Sequence, residues 1–287
     1  MRVAFLGTPP EAVPALEALL GAGHEVVTVV TRPDRRRSRG GALEPSPVGH
    51  VAHRLGLEVV HRLADLDATR VTFGVVVAYG ALVPAALLER LPMLNVHFSL
   101  LPRWRGAAPV ARAILAGDER TGVSIMSLEP TLDTGPVHLA RALAIGERTL
   151  SELSGELAHL GATALLEVLA DPALLAHPVP QVGQPTYAEK LTPEDFHLSP
   201  ALALASALRV VRLERAWVKI GAERVHVLRA RPASSPCAPG QICAEGPVRI
   251  GVADGALELS QVRPAGRHAM AGDAWWRGRR GTTQTWA

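Results

Sequence analysis

The sequence is poor in cysteine and has no apolar run long enough to cross a bilayer. Its 287 residues include only two cysteines, Cys237 and Cys243, in a stretch rich in proline and glycine. Two cysteines without further cysteine or histidine ligands nearby do not make up a zinc site or a disulfide framework, so we expect two structural thiols and no metal. The longest apolar runs, such as 75–78 and 201–205, are far shorter than the roughly 20 residues that a transmembrane helix needs, so we expect no membrane span.

The first residues also lack two familiar patterns. Residues 2–6 are typical of a strand rather than of a basic and then apolar leader, so we expect a cytoplasmic protein. The turn that follows, Gly7-Thr8-Pro9-Pro10, does not have the G-x-G-x-x-G pattern of dinucleotide-binding folds. A dinucleotide cofactor is therefore not expected.

Positive charge is concentrated towards the end of the chain. Residues 201–287 contain 13 Lys and Arg against 6 Asp and Glu, a net of +7, whereas residues 1–200 contain 17 against 21, a net of −4. This distribution is compatible with a polyanionic partner such as nucleic acid, although charged faces often serve only solvation. A second basic feature is residues 32–39, with five arginines in eight positions, which proline, glycine and charge repulsion predict to be an exposed mobile loop.

Hydrophobic periodicity predicts two domains. Strands at 3–6, 24–31, 57–60, 73–79 and 122–128 alternate with helices at 11–22, 48–55 and 149–170. This alternation favours an α/β fold with a Rossmann-like open parallel sheet, whose sites lie beyond the carboxyl ends of its strands. Prolines crowd the segment after Asp171, and then a helix at 201–211 precedes short strands separated by glycines, typical of a small OB-like β-barrel. We therefore predict a catalytic domain at 1–181, a linker at 182–202 and a C-terminal domain at 203–287.

The most informative short motif is Asn95-Val96-His97. Residues two apart on a strand point to the same face, so Asn95 and His97 are expected to project together as an amide donor and a proton carrier. This pair would suit an oxyanion. For the motif by itself, a turn-capping asparagine and a buried, hydrogen-bonded histidine are the commoner explanation.

Asp133 and two arginines add candidates with open alternatives. Asp133, in Leu132-Asp133-Thr134-Gly135, is either an ordinary turn residue or the carboxylate that favours a charged His97 and relays its proton. Arg103 and Arg105 are either solvated cations at a helix start or phosphate contacts.

Three ordered motifs carry a family resemblance. They are N-V-H-x-S-L-L-P-R-W-R-G-A-A-P at 95–109, V-V-V-A-Y-G at 75–80 and L-D-T-G at 132–135. The chain closely resembles the folate-dependent formyltransferases over nearly its whole length, and most of all those members that act on methionyl-tRNA. The resemblance implies transfer of a formyl group from 10-formyltetrahydrofolate to the α-amino group of methionine on initiator tRNA, without a metal. We expect a monomer.

The resemblance also assigns site residues. The catalytic Asn, His and Asp of the family fall on Asn95, His97 and Asp133. Its S-L-L-P element is associated with tetrahydrofolate binding. Core packing of the two leucines, followed by a proline that ends the run, would also account for residues 100–102. The folate-binding candidates are Ser99, Leu100, Leu101, Pro102, Tyr79, Gly80 and Leu132.

The arginine loop differs from the pattern of the family. Members generally have Arg-Gly followed by two lysines where the loop meets the acceptor stem, whereas Arg39-Gly40 is followed here by Gly41 and Ala42. Lysine is scarce in the whole chain, with Lys190 and Lys219 alone among 30 basic residues. We therefore expect the tRNA contacts of the loop from a shifted set, Arg35, Arg36, Arg37 and Arg39.

Other substrates share the catalytic motif. Relatives that formylate glycinamide ribonucleotide or amino sugars, or that hydrolyse formyl-folate, also carry the N-x-H and Asp residues. The arginine loop, R-W-R-G-A-A-P and the basic C-terminal domain favour a tRNA substrate. A noncatalytic RNA-binding module would account for the basic tail but not for Asn95, His97 and Asp133.

Overall fold

The computed structural model describes residues 1–36, 41–279 and 285–287, and its contacts divide the chain into two units. The first unit consists of Met1–Val110, Arg120–Ala144 and Ser154–Glu189, and the second of Ala111–Glu119, Ile145–Leu153 and Lys190–Ala287. The sequence did not indicate that 111–119 and 145–153 group with the C-terminal residues. The domain limits at 181/182 and 202/203 stay predictions.

The first unit contains the α/β fold that the alternating pattern predicts. Its strands are β1 Arg2–Gly7, β2 Glu25–Val30, β3 Arg35–Arg36, β4 Leu43–Glu44, β5 Glu58–Val60, β6 Phe73–Val77, β7 Met93–His97, β8 Arg105–Gly106, β9 Arg120–Ser127, β10 Val137–Ala144 and β11 Tyr187–Ala188. The helices that begin before residue 200 are α1 Val13–Gly21, α2 Pro47–Arg54, α3 Ala85–Leu88, α4 Pro109–Ala116, α5 Leu150–Ala170 and α6 Pro172–Ala176, with 3-10 turns at Pro10–Ala12, Leu63–Asp65, Ala68–Arg70 and Pro193–Phe196.

The central sheet has seven strands in the order β10-β9-β7-β6-β1-β2-β5. Strands β5, β2, β1, β6 and β7 run parallel. Nearly all apolar residues of the four inner strands are buried, as in sheets covered on both faces, whereas those of the edge strand β5 are half-buried. The fold class is thereby confirmed. The sheet is not wholly parallel, however, because β9 runs antiparallel to both β7 and β10.

Strand β6 is two residues shorter than predicted. It ends at Val77, because Ala78 has a φ of 45° and Gly80 a φ of 77°, and these left-handed residues turn the chain out of the sheet. The turn brings residues 78–80 to the carboxyl edge of the sheet, where β7 also ends.

Helix α5 is the longest helix among the described residues. A capping box forms at its start, where the Thr149 N–H donates to Glu152 Oε2 at 2.9 Å and the Glu152 N–H to Thr149 Oγ1 at 3.4 Å. Among the described helices, α5 is long and apolar enough to cross a membrane by length and composition, but 56% of its most apolar window is buried inside the protein. Burial of this kind is typical of a core helix.

The second unit is built on a six-stranded antiparallel sheet, in agreement with the small β domain predicted for this region. The strands are β12 Trp217–Ile220, β13 Glu223–Pro232, β14 Ile242–Cys243, β15 Arg249–Val252, β16 Gly255–Pro264 and β17 Met270–Ala271, and the remaining helices are α7 Leu204–Arg212 and α8 Gly272–Arg277. Alternate residues of the strands, among them Val218, Val225 and Val262, fill the core of the unit. Helix α7 begins three residues later than predicted, where Asp254 Oδ1 accepts from the Leu204 N–H at 2.6 Å.

The prediction of two structural thiols is wrong. Cys237 and Cys243 form a disulfide, with Cα atoms 5.9 Å apart. The turn between them reverses the chain, because Gly240 has a φ of 76° and the Gln241 N–H donates to Ala238 O at 2.9 Å. Two cysteines that are six positions apart can therefore meet.

Candidate active site

His97 and Asp133 meet at the carboxyl edge of the central sheet. His97 is the last residue of β7, and its Nδ1 lies 3.7 Å from Asp133 Oδ2. Both side chains are more than nine-tenths buried. The separation is too long for a hydrogen bond but within the range of an ion pair, so the carboxylate faces the ring as a charge and leaves Nδ1 available for a further partner.

The other ring nitrogen of His97 is already occupied. His97 Nε2 lies 2.8 Å from Trp104 O, and because a carbonyl oxygen can only accept, Nε2 carries the proton and donates. Trp104 itself has a φ of 61°, and its N–H donates to Thr186 Oγ1 at 2.9 Å. The turn at Trp104 therefore fixes the orientation of the imidazole.

Asn95 lies two residues before His97 on β7 and is 9% exposed. The shared strand face follows from the alternation of side chains. Among the described residues, no hydrogen-bond partner of the Asn95 amide is found, so its N–H groups are available to a substrate.

Asp133 is held in an uncommon conformation. Its φ is 52°, in the left-handed region, and its Oδ2 accepts from the Gly106 N–H at 2.7 Å. Gly106, in β8, has a φ of 114°, and a Cβ at this position would lie 2.9 Å from Ala188 O. Only glycine brings its N–H to Asp133 without strain here.

Gln181 links the backbone around Asp133 to strand β8. Its Nε2 donates to Asp133 O at 2.9 Å and Gly135 O at 2.8 Å. Its Oε1 accepts from Arg105 Nε at 3.1 Å and Arg105 Nη2 at 2.7 Å. Both amide donors and both oxygen lone pairs are thus used. The hydrogen bonds therefore assign Oε1 and Nε2 of the amide. Arg105 is therefore not simply a solvated cation, because its guanidinium supports the Asp133 segment, and a phosphate contact of this residue stays a prediction.

The predicted folate element, residues 99–102, forms a turn that several hydrogen bonds hold in place. Ser99 Oγ donates to Arg103 O at 2.6 Å, and Ser124 Oγ donates to Ser99 O at 2.8 Å. The Leu101 N–H donates in turn to Ser124 Oγ at 3.2 Å, and the Leu101–Pro102 peptide is cis. Polar groups at both ends of the turn are satisfied internally.

The other folate-binding candidates differ in the exposure of their side chains. The Tyr79 side chain is buried in an apolar cluster with Val76 and Leu91, and this burial raises the pKa of its phenol. Gly80 is exposed, and its carbonyl accepts from Arg32 Nη2 at 3.2 Å. Leu132, next to Asp133, is 50% exposed. Contacts of residues 79–80 with a ligand would therefore use main-chain atoms, whereas Leu132 offers its side chain.

The arginine loop is only partly described. Arg35 and Arg36 form β3, which pairs with β4, and their side chains are exposed. Arg36 Nη1 donates to Gly41 O at 2.8 Å. Arg37 and Arg39 lie outside the described residues.

Several residues of the site were not found from the sequence. Gln181 and Thr186 lie in a proline-rich segment without a motif to mark them. Ser124 did leave a signal, because a serine between Val123 and Ile125 in a buried strand needs an internal hydrogen-bond partner. The carbonyl of Trp104 and the N–H of Gly106 are main-chain groups, whose positions no side-chain pattern encodes.

Both parts of the chain match models of known protein families. The family model described as formyl transferase matches residues 1–169, and the one described as formyl transferase, C-terminal domain, matches residues 198–280. The methionyl-tRNA formyltransferase of Rhizorhabdus wittichii is 44% identical and covers 94% of this chain and 93% of its own. That of Pseudarthrobacter chlorophenolicus is 43% identical and covers 97% of each.

Solved structures share the fold at lower identity. The N-formyltransferase from Helicobacter canadensis, in complex with folinic acid and dTDP-3-aminofucose, gives a TM-score of 0.69 at 15% identity, covering 93% of this chain and 100% of its own. This likeness shows that the two chains share a fold.

Proposed function

The chain belongs to the formyl transferase family, and we propose from this premise that it transfers the formyl group of 10-formyltetrahydrofolate to the α-amino group of methionine on initiator tRNA. The observation that carries this proposal is that relatives named methionyl-tRNA formyltransferase match at 43–44% identity across both units. We further propose that the enzyme acts in the cytoplasm as a monomer.

The experiment that tests the function compares acceptors. Transfer from formyl-folate is measured with methionine-charged initiator tRNA, glycinamide ribonucleotide and an amino sugar nucleotide. We expect kcat/KM for the charged tRNA to exceed the other two by at least about 10³-fold, since a site that binds the tRNA body uses that binding energy. A higher kcat/KM with either small amine would overturn the proposal.

The residues at the carboxyl edge fit a formyl-folate. The exposed Leu132 side chain lies next to Asp133 and offers apolar contact, and the left-handed turn at residues 78–80 turns main-chain groups towards this edge. The turn at 99–102 supplies a wall. When bound, the folate presents a formyl carbon that an amine can attack.

We assign the catalytic work to Asn95, His97 and Asp133. The Asn95 amide N–H is a donor for the formyl oxygen, on which negative charge develops during attack. His97 Nδ1 is the ring atom left to interact with the reacting groups, because Nε2 donates to Trp104 O. Asp133 supplies negative charge 3.7 Å from Nδ1 and takes the proton lost by the amine, which is then available to the folate nitrogen as its bond to the formyl carbon breaks. Burial of His97 and Asp133 keeps bulk water from these groups and strengthens their interactions.

Gln181 offers a test of how much the position of Asp133 matters. Gln181→Glu keeps the size of the side chain and an acceptor for Arg105, but it replaces the donor facing Asp133 O and Gly135 O by a carboxylate oxygen. We expect kcat to fall about 10- to 100-fold, because misplacement by about 1 Å is enough for such a loss, with little change in KM for the folate.

The matched control for this prediction is Gln184→Glu. Gln184 is exposed, lies three residues further on and changes charge in the same way. Full activity is expected for the control. Equal losses in the two variants would mean that added negative charge, rather than the lost hydrogen bonds, explains the effect.

One face of the C-terminal sheet suits the phosphate backbone of tRNA. Lys219, Arg224 and Arg263 are exposed, and the cross-strand pairs Lys219↔Arg224 and His226↔Arg263 bring them to the face opposite the apolar core. His226 lies among them, and burial together with Arg263 and Arg224 lowers the pKa of its imidazole. At neutral pH the positive charge of this face therefore comes from the lysine and the two arginines.

Neutralising this face should weaken tRNA binding. For the double variant Arg224→Gln, Arg263→Gln we expect lower affinity and a salt-dependence slope reduced by roughly 1.4 to 1.8 log units, since each lost phosphate contact removes about 0.7 to 0.9. The measurement is a salt titration of tRNA affinity. Arg231→Gln is the control, because Arg231 Nη2 is already paired with Glu258 Oε1 at 2.6 Å. An unchanged slope in the double variant would show that these two arginines do not contact tRNA phosphates.

A further inference from the structure

A second polar pair lies outside the catalytic site, on the first unit. Ser127 Oγ is 2.8 Å from His138 Nε2, and His138 Nδ1 is 2.9 Å from Leu174 O. Ser127 ends β9 and His138 is the second residue of β10. Both side chains are half-buried, so a small molecule could reach them from solvent.

The hydrogen bonds fix the direction of donation in this pair. Leu174 O can only accept, so His138 Nδ1 carries the proton. When the ring carries this single proton, its acceptor is Nε2, and Ser127 Oγ–H donates to it. A lone pair of Ser127 Oγ remains free to accept from another molecule.

Ser127 and His138 are the two polar residues among those that line a cavity open to solvent. The cavity has a volume of about 410 Å³, which lies within the range of small-molecule sites, roughly 300 to 1,000 Å³. Its other lining residues are Phe73, Leu88, Pro92, Met93, Leu94, Leu128 and Leu175.

The position of the cavity separates it from the catalytic residues. Phe73 and Met93 begin the parallel strands β6 and β7, so the cavity lies at the amino edge of the sheet, whereas His97 ends β7. Ser127 and His138 also lie on the two sides of the segment 128–136, which carries Asp133. A ligand in this cavity would contact both ends of that segment.

The main chain around Ser127 indicates binding rather than catalysis. A serine that attacks an acyl group needs donors for the oxyanion, and nearby N–H groups usually provide them. Here the Ser127 N–H donates to Pro136 O at 2.9 Å and the Leu128 N–H to Met93 O at 2.8 Å. Both donors next to the hydroxyl are therefore occupied.

We propose that this cavity binds a small, neutral, apolar molecule with one hydrogen-bond donor. The apolar part packs against the leucines, Phe73 and Met93, and the donor bonds to the free lone pair of Ser127 Oγ.

The test uses indole and indene, which have the same shape but differ in the N–H donor. Calorimetric titration of the full chain should give a dissociation constant for indole about 3- to 10-fold lower than for indene, the range expected for one hydrogen bond. Ser127→Ala should abolish this preference while retaining indene binding, which shows that the variant is folded. Leu175→Trp, which fills the cavity from its rim, should weaken both ligands at least 10-fold. The exposed Ser234→Ala is the control and should bind as the parent does.

Two results would overturn the proposal. One is a failed binding test, in which neither ligand binds or the indole preference persists in Ser127→Ala. The other is a burst of p-nitrophenol from p-nitrophenyl acetate that Ser127→Ala removes, since this would make Ser127 a nucleophile rather than a ligand-binding group.

Discussion

Replacement of His97 by alanine should lower kcat for formyl transfer by about 10²- to 10⁴-fold, the range for loss of a group that transfers protons or stabilises an oxyanion. The same range is expected for Asn95→Ala, which removes the free amide donor of β7. Single-turnover transfer from formyl-folate to charged tRNA measures the chemical step directly. Binding of the folate and of tRNA should change little, because neither side chain is proposed to hold them in the ground state.

The control for this pair is the exposed histidine on α5, His159→Ala, for which we expect parental activity. Because His97 is 5% exposed and its ring donates to Trp104 O, thermal unfolding of each variant must be compared with the parent. If a variant keeps the parental unfolding temperature and its kcat falls by less than about 3-fold, the replaced residue has no catalytic role.

Asp133→Asn should have the second large effect on kcat, and the structure accommodates this substitution without a change in the backbone. Asparagine tolerates the left-handed φ of 52°, and its amide oxygen can still accept from the Gly106 N–H. The change therefore removes the charge near His97 Nδ1 and the proposed base for the amine proton while preserving the shape of the segment. We expect kcat to fall by about 10²- to 10⁴-fold, with KM for the folate nearly unchanged.

Glu129→Gln tests whether charge on the same segment is sufficient to explain that loss. Glu129 is exposed, and its Oε2 accepts from Thr134 Oγ1 at 3.2 Å. This control should retain parental activity and pH dependence. If Asp133→Asn were as active as Glu129→Gln, the proton would have to leave the amine by another route.

The sequence predicts the elements of the first unit well where a local pattern dictates them. The apolar strands β1, β2 and β6 and the capped helix α5 lie within a few residues of their predicted positions, because burial and capping act over short distances. The antiparallel β9 could not be foreseen, since its apolar pattern is compatible with either direction.

The site was predictable in part for the same reason. Asn95, His97 and Asp133 stand out as side chains in motifs, and their catalytic roles stay predictions. The Gln181 bridge was not predictable, because it depends on a hydrogen bond to Asp133 O over 48 residues of chain. The Cys237–Cys243 disulfide was missed because spacing alone did not reveal the turn at Gly240 that closes it.

The interleaved chain path of the two units has a consequence for synthesis on the ribosome. The chain passes between the units five times, at 110/111, 119/120, 144/145, 153/154 and 189/190. Leu115, from the short segment 111–119, packs against the core formed by residues after 197, and Arg112 pairs with Asp195 at 2.7 Å. The ribosome adds roughly 5 to 20 residues per second. After this segment is synthesised, about 80 or more further residues must be added before the residues that it contacts are present. Deleting residues 203–287 would leave Asp195 in place but remove most of the core against which Leu115 packs, so point substitutions, rather than truncation, are the way to separate tRNA affinity from catalysis in this protein.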